Sequence, residues 1–512
     1  MTNKQKATKL ALFAGATALA AMTSQTHAES SNDSLINKLE QKGILSADEA
    51  KELRIESAQS DTNLLNELPA SKWKLSESIK SIGLYGDLRF RYEYRGVDNS
   101  IGATPNTYYR ERMRYAFRVG LKGDLFDDIS YGVRLETSNN PRSPWDTFGN
   151  NTTGGSVTPS DKNSSGIYLG QAFLNWHPDS WYEMQVGRMP MPLYTTPMVW
   201  DSDINPEGLF EKVKYSVGPV DLFADFGQFD YQDPGSANRG FSSDVFLLAW
   251  QAGAVVRVNK DTSFKFAPMV YTYTGSGSAS SGLGQNFVGQ GSPTGSNIGV
   301  PGGVAYGALT AAQAQQAYNQ EGINSLLILE VPAEFDFKVN HTPLGDLQGR
   351  FFGDFAYNFQ GDDRAASAYY TPNRATTFPG RTGPAYGHNY AYQVGFGIGS
   401  AGPSYGPTQG FVYGSASKKG SWEARTYWQH VEQYALDVNL LDSDFFEGRG
   451  NLEGVYVAFA YSITDAILGT IRYGYADRID STLGTGGNNL DIPTINPIKN
   501  YNIIQADVTW RF

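Results

Sequence analysis

GLYGDLRFRYEYR, residues Gly83 to Arg95, is the stretch that decides the fold. Leu84, Gly86, Leu88, Phe90, Tyr92 and Tyr94 share one parity, and Tyr85, Asp87, Arg89, Arg91, Glu93 and Arg95 share the other. A period of two marks a β-strand, whose successive side chains point to opposite faces. The next periodic stretch repeats the device, with Met113, Tyr115, Phe117, Val119 and Leu121 opposed to Arg110, Arg112, Arg114, Arg118 and Lys122. A soluble sandwich also alternates. Here one face is aromatic and aliphatic and the other densely charged, over strands of about 10 residues or more, which matches a tilted crossing of bilayer hydrocarbon.

Outward from these strands, the spacing of links extends the pattern. Outer-membrane barrels join their strands alternately by short periplasmic turns and long outer loops. Short links are read at Gly123 to Asp128, His177 to Ser180, Gly218-Pro219, Asn259 to Asp261, His341 to Asp346, Lys418 to Ser421 and Thr464 to Ala466. Long links are read at Gly96 to Thr107, Asn139 to Ser165, Met189 to Glu207, Asp230 to Ser243, Gly275 to Asn324, Gly361 to His388, Ala435 to Gly450 and Asp477 to Asn500. Seven turns and eight loops give 16 strands with both ends on the periplasmic side. GPSYGPTQ interrupts one passage between Asn389 and Ser417, which leaves 14 or 18 strands open.

The last strand ends on an aromatic residue. Phe512, Trp510, Val508, Ala506 and Ile504 take one face, and Arg511, Thr509, Asp507 and Gln505 the other. A terminal Phe512 with Trp510 two positions before it reads as the membrane-insertion signal that the barrel-assembly machinery recognises.

At the other end, Lys4, Lys6 and Lys9 precede an apolar run from Leu10 to Met22 and then Thr26-His27-Ala28, the pattern of an export signal cleaved after Ala28. No later run reaches the roughly 20 apolar residues of a spanning helix. Residues 29–80 read as a periplasmic helical hairpin and linker. Leu35, Ile36 and Leu39 form one stripe, Gly43 is a C-cap, and Ser46 with Glu49 makes a capping box. Residues 81–512 are the expected barrel.

Composition agrees with an exported barrel. There is no cysteine, which excludes thiolate metal centres, and 31 Tyr, 28 Phe and 56 Gly accompany a polar average, as in a wall that is apolar only at every second residue. The 41 basic residues less three signal lysines leave 38 against 52 acidic, a net charge of −14, which argues against nucleic acid as a partner. The fold class expected is all-β: a transmembrane, antiparallel, up-and-down barrel preceded by a short helical segment. Outer-membrane lipid and lipopolysaccharide, the barrel-assembly machinery and small hydrophilic solutes or ions are the expected partners, with a homotrimer as a candidate assembly.

The chain resembles the putative-porin family of Gram-negative bacteria, distantly akin to the phosphate-selective porins. The resemblance is carried by LINKLEQKGILSADEAKEL, GLYGDLRFRYEYR, RERMRYAFRVGLKG, GQAFLNW, QVGRM with VWDSDINPEG, KKGSWEARTYWQ and GVYVAFAYSITD, in that order. It departs in the Gly/Ser-rich insertion Gly275 to Gly303, the Ala/Gln stretch Ala311 to Gln320 and the interruption near Pro403. The resemblance implies a barrel that acts as a diffusion channel.

With apolar faces toward lipid, the polar faces line a lumen. Arg89, Arg91, Arg110, Arg112, Arg114, Arg118, Lys122 and Arg134 then form a basic stretch of wall, and Glu330, Glu334 and Asp336 an acidic one facing it. Opposed arcs of charge create a transverse field, and the same charges also pair between neighbouring strands. The third outer loop, MPMPLYTTPMVWDSDINPE, is the expected constriction. Pro190, Pro192 and Pro197 stiffen it, Tyr194 and Trp200 pack it on the wall, and Asp201, Asp203 and Glu207 carry charge to the opening. The Gly275 to Asn324 loop is its rival.

No catalytic residue, cofactor or metal site is expected, since His177 and His341 fall in turns, His388 ends an outer loop, and His430 shares the lipid-facing parity of Trp422 and Trp428. The alternatives weighed are a structural or adhesive barrel with a blocked lumen, a channel for hydrophobic compounds, and a hydrolase.

Overall fold

The computed structural model describes residues 78–99, 107–126, 128–138, 143–149, 166–232, 244–274, 325–370, 382–400, 419–483, 485 and 498–512. The signal and helical hairpin read from the sequence lie outside the described residues.

Sixteen antiparallel strands follow in chain order. The first quarter comprises β1 (Gly83–Asn99), β2 (Thr107–Phe126), β3 (Ile129–Ser138) and β4 (Gly166–Asp179). Then come β5 (Tyr182–Arg188), β6 (Glu207–Val217), β7 (Val220–Gln232) and β8 (Val245–Asn259). β9 runs as Thr262–Phe266 and Met269–Tyr273, and β10 as Leu327–Glu330 and Ala333–Thr342. β11 (Gly345–Asn358), β12 (Tyr390–Gly399), β13 (Trp422–Val431), β14 (Leu452–Ser462), β15 (Ile467–Arg478) and β16 (Ile498–Arg511) complete the set. Each pairs with its sequence neighbour, and β1 also pairs with β16 over Asp87↔Arg511 to Asn99↔Ile498, so the sheet closes without an edge. Closure pairs the two strands that would otherwise form the edges of an open sheet.

β9 and β10 are each interrupted beside a proline, Pro268 and Pro332. Proline cannot donate to the ladder, and its carbonyl still accepts, from Ala252 and Ala267 respectively, at 3.1 Å in both cases. The short link read at Lys418 to Ser421 ends where β13 begins, and residues 401–418 lie outside the described residues. The short links and the eight long ones fall between the strands where the spacing put them, and the wall strands among the described residues number 16.

Face assignment follows parity. Phe90 is 43% exposed on the outside, whereas its neighbour Arg91 is 1% exposed on the inside. Met113, Phe117, Leu121, Trp250, Phe351, Trp428 and Trp510 also stand on the exposed outer face. Outside exposure of large apolar residues, with Arg and Glu inside, is the inversion a lipid solvent demands. The pairing also places charges. Arg91 lies between Arg114 and Asp507, Glu93 between Arg112 and Gln505, and Asp87 between Arg118 and Arg511.

Candidate pore constriction

Among the described residues, long stretches of two outer loops fold into the barrel, and Trp145 of a third is also buried there. Residues 189–206 leave the wall between β5 and β6, at a point where Gly187 and Gly208 face each other. Their φ angles are +116° and +149°, and a Cβ at either would collide with the backbone carbonyl of Ala172 or Gln228. Only glycine lets the chain turn off the sheet there. The second inward loop, residues 432–451 between β13 and β14, is one that sequence reasoning left as an ordinary outer loop. Met189, Leu193, Met198, Val199 and Trp200 of the first loop and Leu436, Val438, Leu440, Leu441 and Phe445 of the second are buried in one apolar cluster inside the barrel.

The first loop is tied to the wall by its hydroxyls. Tyr194 Oη donates to Glu334 Oε2 at 2.7 Å, Thr195 Oγ1 to Glu330 Oε1 at 2.6 Å, and the Thr196 hydroxyl to Asp354. Gln251 and the Tyr194 backbone exchange two hydrogen bonds of 2.8 and 2.7 Å. Lys265 Nζ lies 3.5 Å from the Tyr194 ring centroid. Glu330 and Glu334 therefore do not face the basic strands across open water. The loop stands between them, since a carboxylate on a crowded wall needs donors and the Tyr-Thr-Thr run supplies three. Asp336 pairs with Arg350, which also reaches Glu334 at 3.1 Å.

The two loops then meet through a repeated tripeptide, Asp201-Ser202-Asp203 and Asp442-Ser443-Asp444. Each forms the same Asx turn, with the Asp203 amide on Asp201 Oδ1 at 2.9 Å and the Asp444 amide on Asp442 Oδ1 at 3.2 Å. The Ser443 amide donates to Asp201 Oδ2 at 3.1 Å, and the Asp442 amide to the Pro197 carbonyl at 3.1 Å. Asp437 anchors the second loop to the wall, accepting from the Tyr231 and Tyr273 hydroxyls at 2.8 Å each.

Between the joined loops and the wall of β1, β2, β15 and β16 is a cavity of about 350 Å³. Its arginines are Arg89, Arg91, Arg118, Arg134, Arg472 and Arg511. Its aspartates are Asp87, Asp201, Asp203, Asp442, Asp444 and Asp507. Arg91 is the clamp: Nε lies 2.8 Å from Asp507 Oδ1, Nη1 lies 2.6 Å from Asp444 Oδ1, and its Cζ sits 4.0 Å from the Trp145 ring centroid. Arg472 reaches the same Asp507. Arg89 and Arg118 share Asp87 at 2.7 and 2.8 Å, and Arg134 holds Glu136 at 2.9 Å.

Not every predicted residue arrives here. Arg112 closes on Glu93, with Nε to Oε1 2.6 Å, and Arg114 Nη1 is 3.7 Å from the same carboxylate. Arg110 opposes Arg95 in the β1–β2 register. Trp200 is buried against its own loop, its indole N–H on the Ile204 carbonyl at 3.0 Å. Glu207 brings no charge to the cavity. It is the first residue of β6 and pairs with Arg188 at 3.0 Å, beside a groove on the outer wall. Arg472, Arg511, Asp442, Asp444 and Asp507 were missed, and the signal that could have found the two loop acids is the repeated Asp-Ser-Asp.

His430 keeps the outward parity but is covered, 6% exposed, stacked on Tyr390 and Tyr392 with Nδ1 2.8 Å from Glu453 Oε2. Phe512 completes the closing seam, exchanging backbone hydrogen bonds of 2.9 and 3.1 Å with Gly86 and stacking on Phe117, with Trp510 beside it.

The sequence profile of a family described as "Putative porin" matches residues 96–512. The chain belongs to that family. This porin resides in the outer membrane of a Gram-negative bacterium. No curated protein sequence matches it. Among solved structures it is similar to the outer membrane channel DcaP of Acinetobacter baumannii, at 12% identity, covering 86% of this chain and 99% of that one, with a TM-score of 0.36. It is likewise similar to the anion-selective porin from Comamonas acidovorans, at 8% identity, 84% and 99% coverage and a TM-score of 0.39. A trimer form of OmpT of Vibrio cholerae matches at 10% identity, 84% and 99% coverage and a TM-score of 0.36.

Proposed function

We propose that this porin passes small hydrophilic solutes and ions through a channel whose narrowest section is the cavity between the arginine wall and the paired Asp-Ser-Asp loops. The observation that carries this reading is the cavity's lining of six arginines and six aspartates, which no dry core would hold. Opposed charges at close quarters set the field that a permeating ion crosses.

Charge at the constriction depends on pH. Burial and the neighbouring Asp444 push the Asp442 carboxyl up to about 7. Arg91, against the effect of burial, holds Asp444 below the usual carboxylate range. A raised value means that Asp442 is protonated on the acid side of it and adds a negative charge on the alkaline side. In a planar bilayer under a KCl gradient, preference for K⁺ over Cl⁻ should rise between about pH 6 and about pH 8, and Asp442→Asn should flatten the change. Conductance with no such shift would exclude Asp442 from the permeation path. Absence of any conductance would favour the second reading, a structural or adhesive barrel, for which the buried apolar cluster of the two inward loops speaks.

We infer in addition that copies of the chain associate through the low side of the wall. β5 ends at Arg188, opposite Ala172, so the outer part of β4, Gly166 to Gln171, has no strand beside it on that side among the described residues. Ile167, Tyr168 and Leu169 are exposed along it. Unpaired strand edges do not face hydrocarbon, and a second copy supplies the cover, as in a homotrimer. Sedimentation in detergent should return an oligomer, and Ile167→Lys should shift it toward monomer. A wild-type monomer at all concentrations would overturn this.

A further inference from the structure

We infer that the constriction selects small zwitterions, solutes carrying a carboxylate and an ammonium group a few ångströms apart, such as free α-amino acids. The inference rests on the pore reading and narrows it. Its origin is in which charges of the cavity are already claimed.

Asp507 and Asp444 are held by Arg91, with Arg472 also on Asp507. Asp201 and Asp442 accept backbone amides that shape the loops. Those groups are structural. Arg134 is held by Glu136, and Arg511 stands opposite Asp87 in the sheet. Two features are left. Arg89 and Arg118 are two guanidinium groups sharing the single carboxylate of Asp87, so their donors exceed what Asp87 can accept. Across the cavity stands Asp203, whose carboxylate makes no hydrogen bond or ion pair with any described residue. Burial raises its carboxyl, Arg118, Arg89 and Arg91 on the wall oppose that shift, and Asp444 on the second loop adds to it, yet no contact within ion-pair distance joins Asp203 to an arginine, and the cavity lies between.

A positive pair on the wall and a lone carboxylate on the loop, with room between them, form a socket for a dipole. A simple anion attracted to Arg89 and Arg118 meets Asp203 as a like charge, and a simple cation meets the arginines. A solute with both groups satisfies both sides at once and keeps the section neutral, so it replaces its hydration shell at smaller cost. Gln171 donates to Asn205 Oδ1 at 2.8 Å, and this pair adds a neutral polar patch to the lining.

Glycine and glycolamide provide the test, because they are isomers of the same size, one zwitterionic and one neutral. Swelling of proteoliposomes containing the full-length porin should be several-fold faster in glycine than in glycolamide. Asp203→Asn should remove that advantage and raise the rate for N-acetylglycine, an anion. Arg89→Gln with Arg118→Gln should also remove the advantage but raise the rate for glycinamide, a cation. Equal wild-type rates for the two isomers would overturn the inference while leaving the pore reading intact. Failure of every solute to enter would overturn the pore reading itself.

Discussion

Replacing residues 438–448 by a Gly/Ser segment of equal length should raise single-channel conductance several-fold and make the current noisy. The segment carries Val438, Leu440, Leu441, Phe445 and Phe446, all buried inside the barrel, and each such burial is worth about 1.5–3 kcal/mol of docking. It also carries Asp442 and Asp444, which form one side of the cavity. A Gly/Ser chain has neither the apolar side chains nor the carboxylates, and behaves as a flexible coil that leaves the lumen intermittently open. The wall should survive, because its strands pair with one another and not with the loop. The native loop is held in an expensive shape: Phe446, Glu447 and Gly448 all have positive φ, near +60°, stabilised by the buried Glu447–Arg449 pair at 3.0 Å. Planar-bilayer recording checks this. An assembled barrel with unchanged conductance would show that residues 432–451 do not narrow the pore.

The barrel was legible in the sequence because its physics is local. Parity along Gly83 to Arg95 assigns faces residue by residue, and the placement of long and short links counts strands without any knowledge of contacts. The stretch that Pro403 and Pro407 interrupt lies outside the described residues. The lumen was legible only in part, for a different reason. Parity says that Glu330 and Glu334 point inward, but not what they meet there. What they meet is Tyr194 and Thr195, brought from more than a hundred positions away by the fold. Arg112 faces inward as Arg91 does and is spent on Glu93, its direct partner across the strands. Glu207 looks like loop charge in the sequence, yet the sheet begins one residue earlier than a loop reading assumes. The second inward loop carried a readable trace, since Asp442-Ser443-Asp444 copies Asp201-Ser202-Asp203, but a repeat of three residues acquires meaning only once both copies are seen to dock together.

Arg91→Leu should destabilise the assembled barrel by about 3 kcal/mol, the low end of the range for removing one partner of a buried ionic network. Arg91 is almost wholly buried, and three kinds of support converge on it: Asp507 from the adjacent strand β16, Asp444 from the inward loop, and the face of Trp145. The low end applies because neither acid is orphaned completely. Asp507 retains Arg472, and Asp444 retains the Gln505 amide at 3.0 Å. What is lost is the link between wall and loop, since no other side chain in the described residues bridges Asp507 to Asp444 with a guanidinium fork. Arg91→Lys should recover only part of the loss, because an ammonium group can hold one carboxylate well but lacks the planar geometry that grips two while stacking on indole. Urea unfolding of the folded porin in lipid vesicles measures the stability, and current noise in a bilayer reports the loop. A merely mural role predicts reduced stability with quiet current, whereas the clamp predicts both effects together, with Asp444→Asn reproducing the noise at smaller cost in stability. Unfolding of Arg91→Leu at the wild-type urea concentration would overturn the clamp.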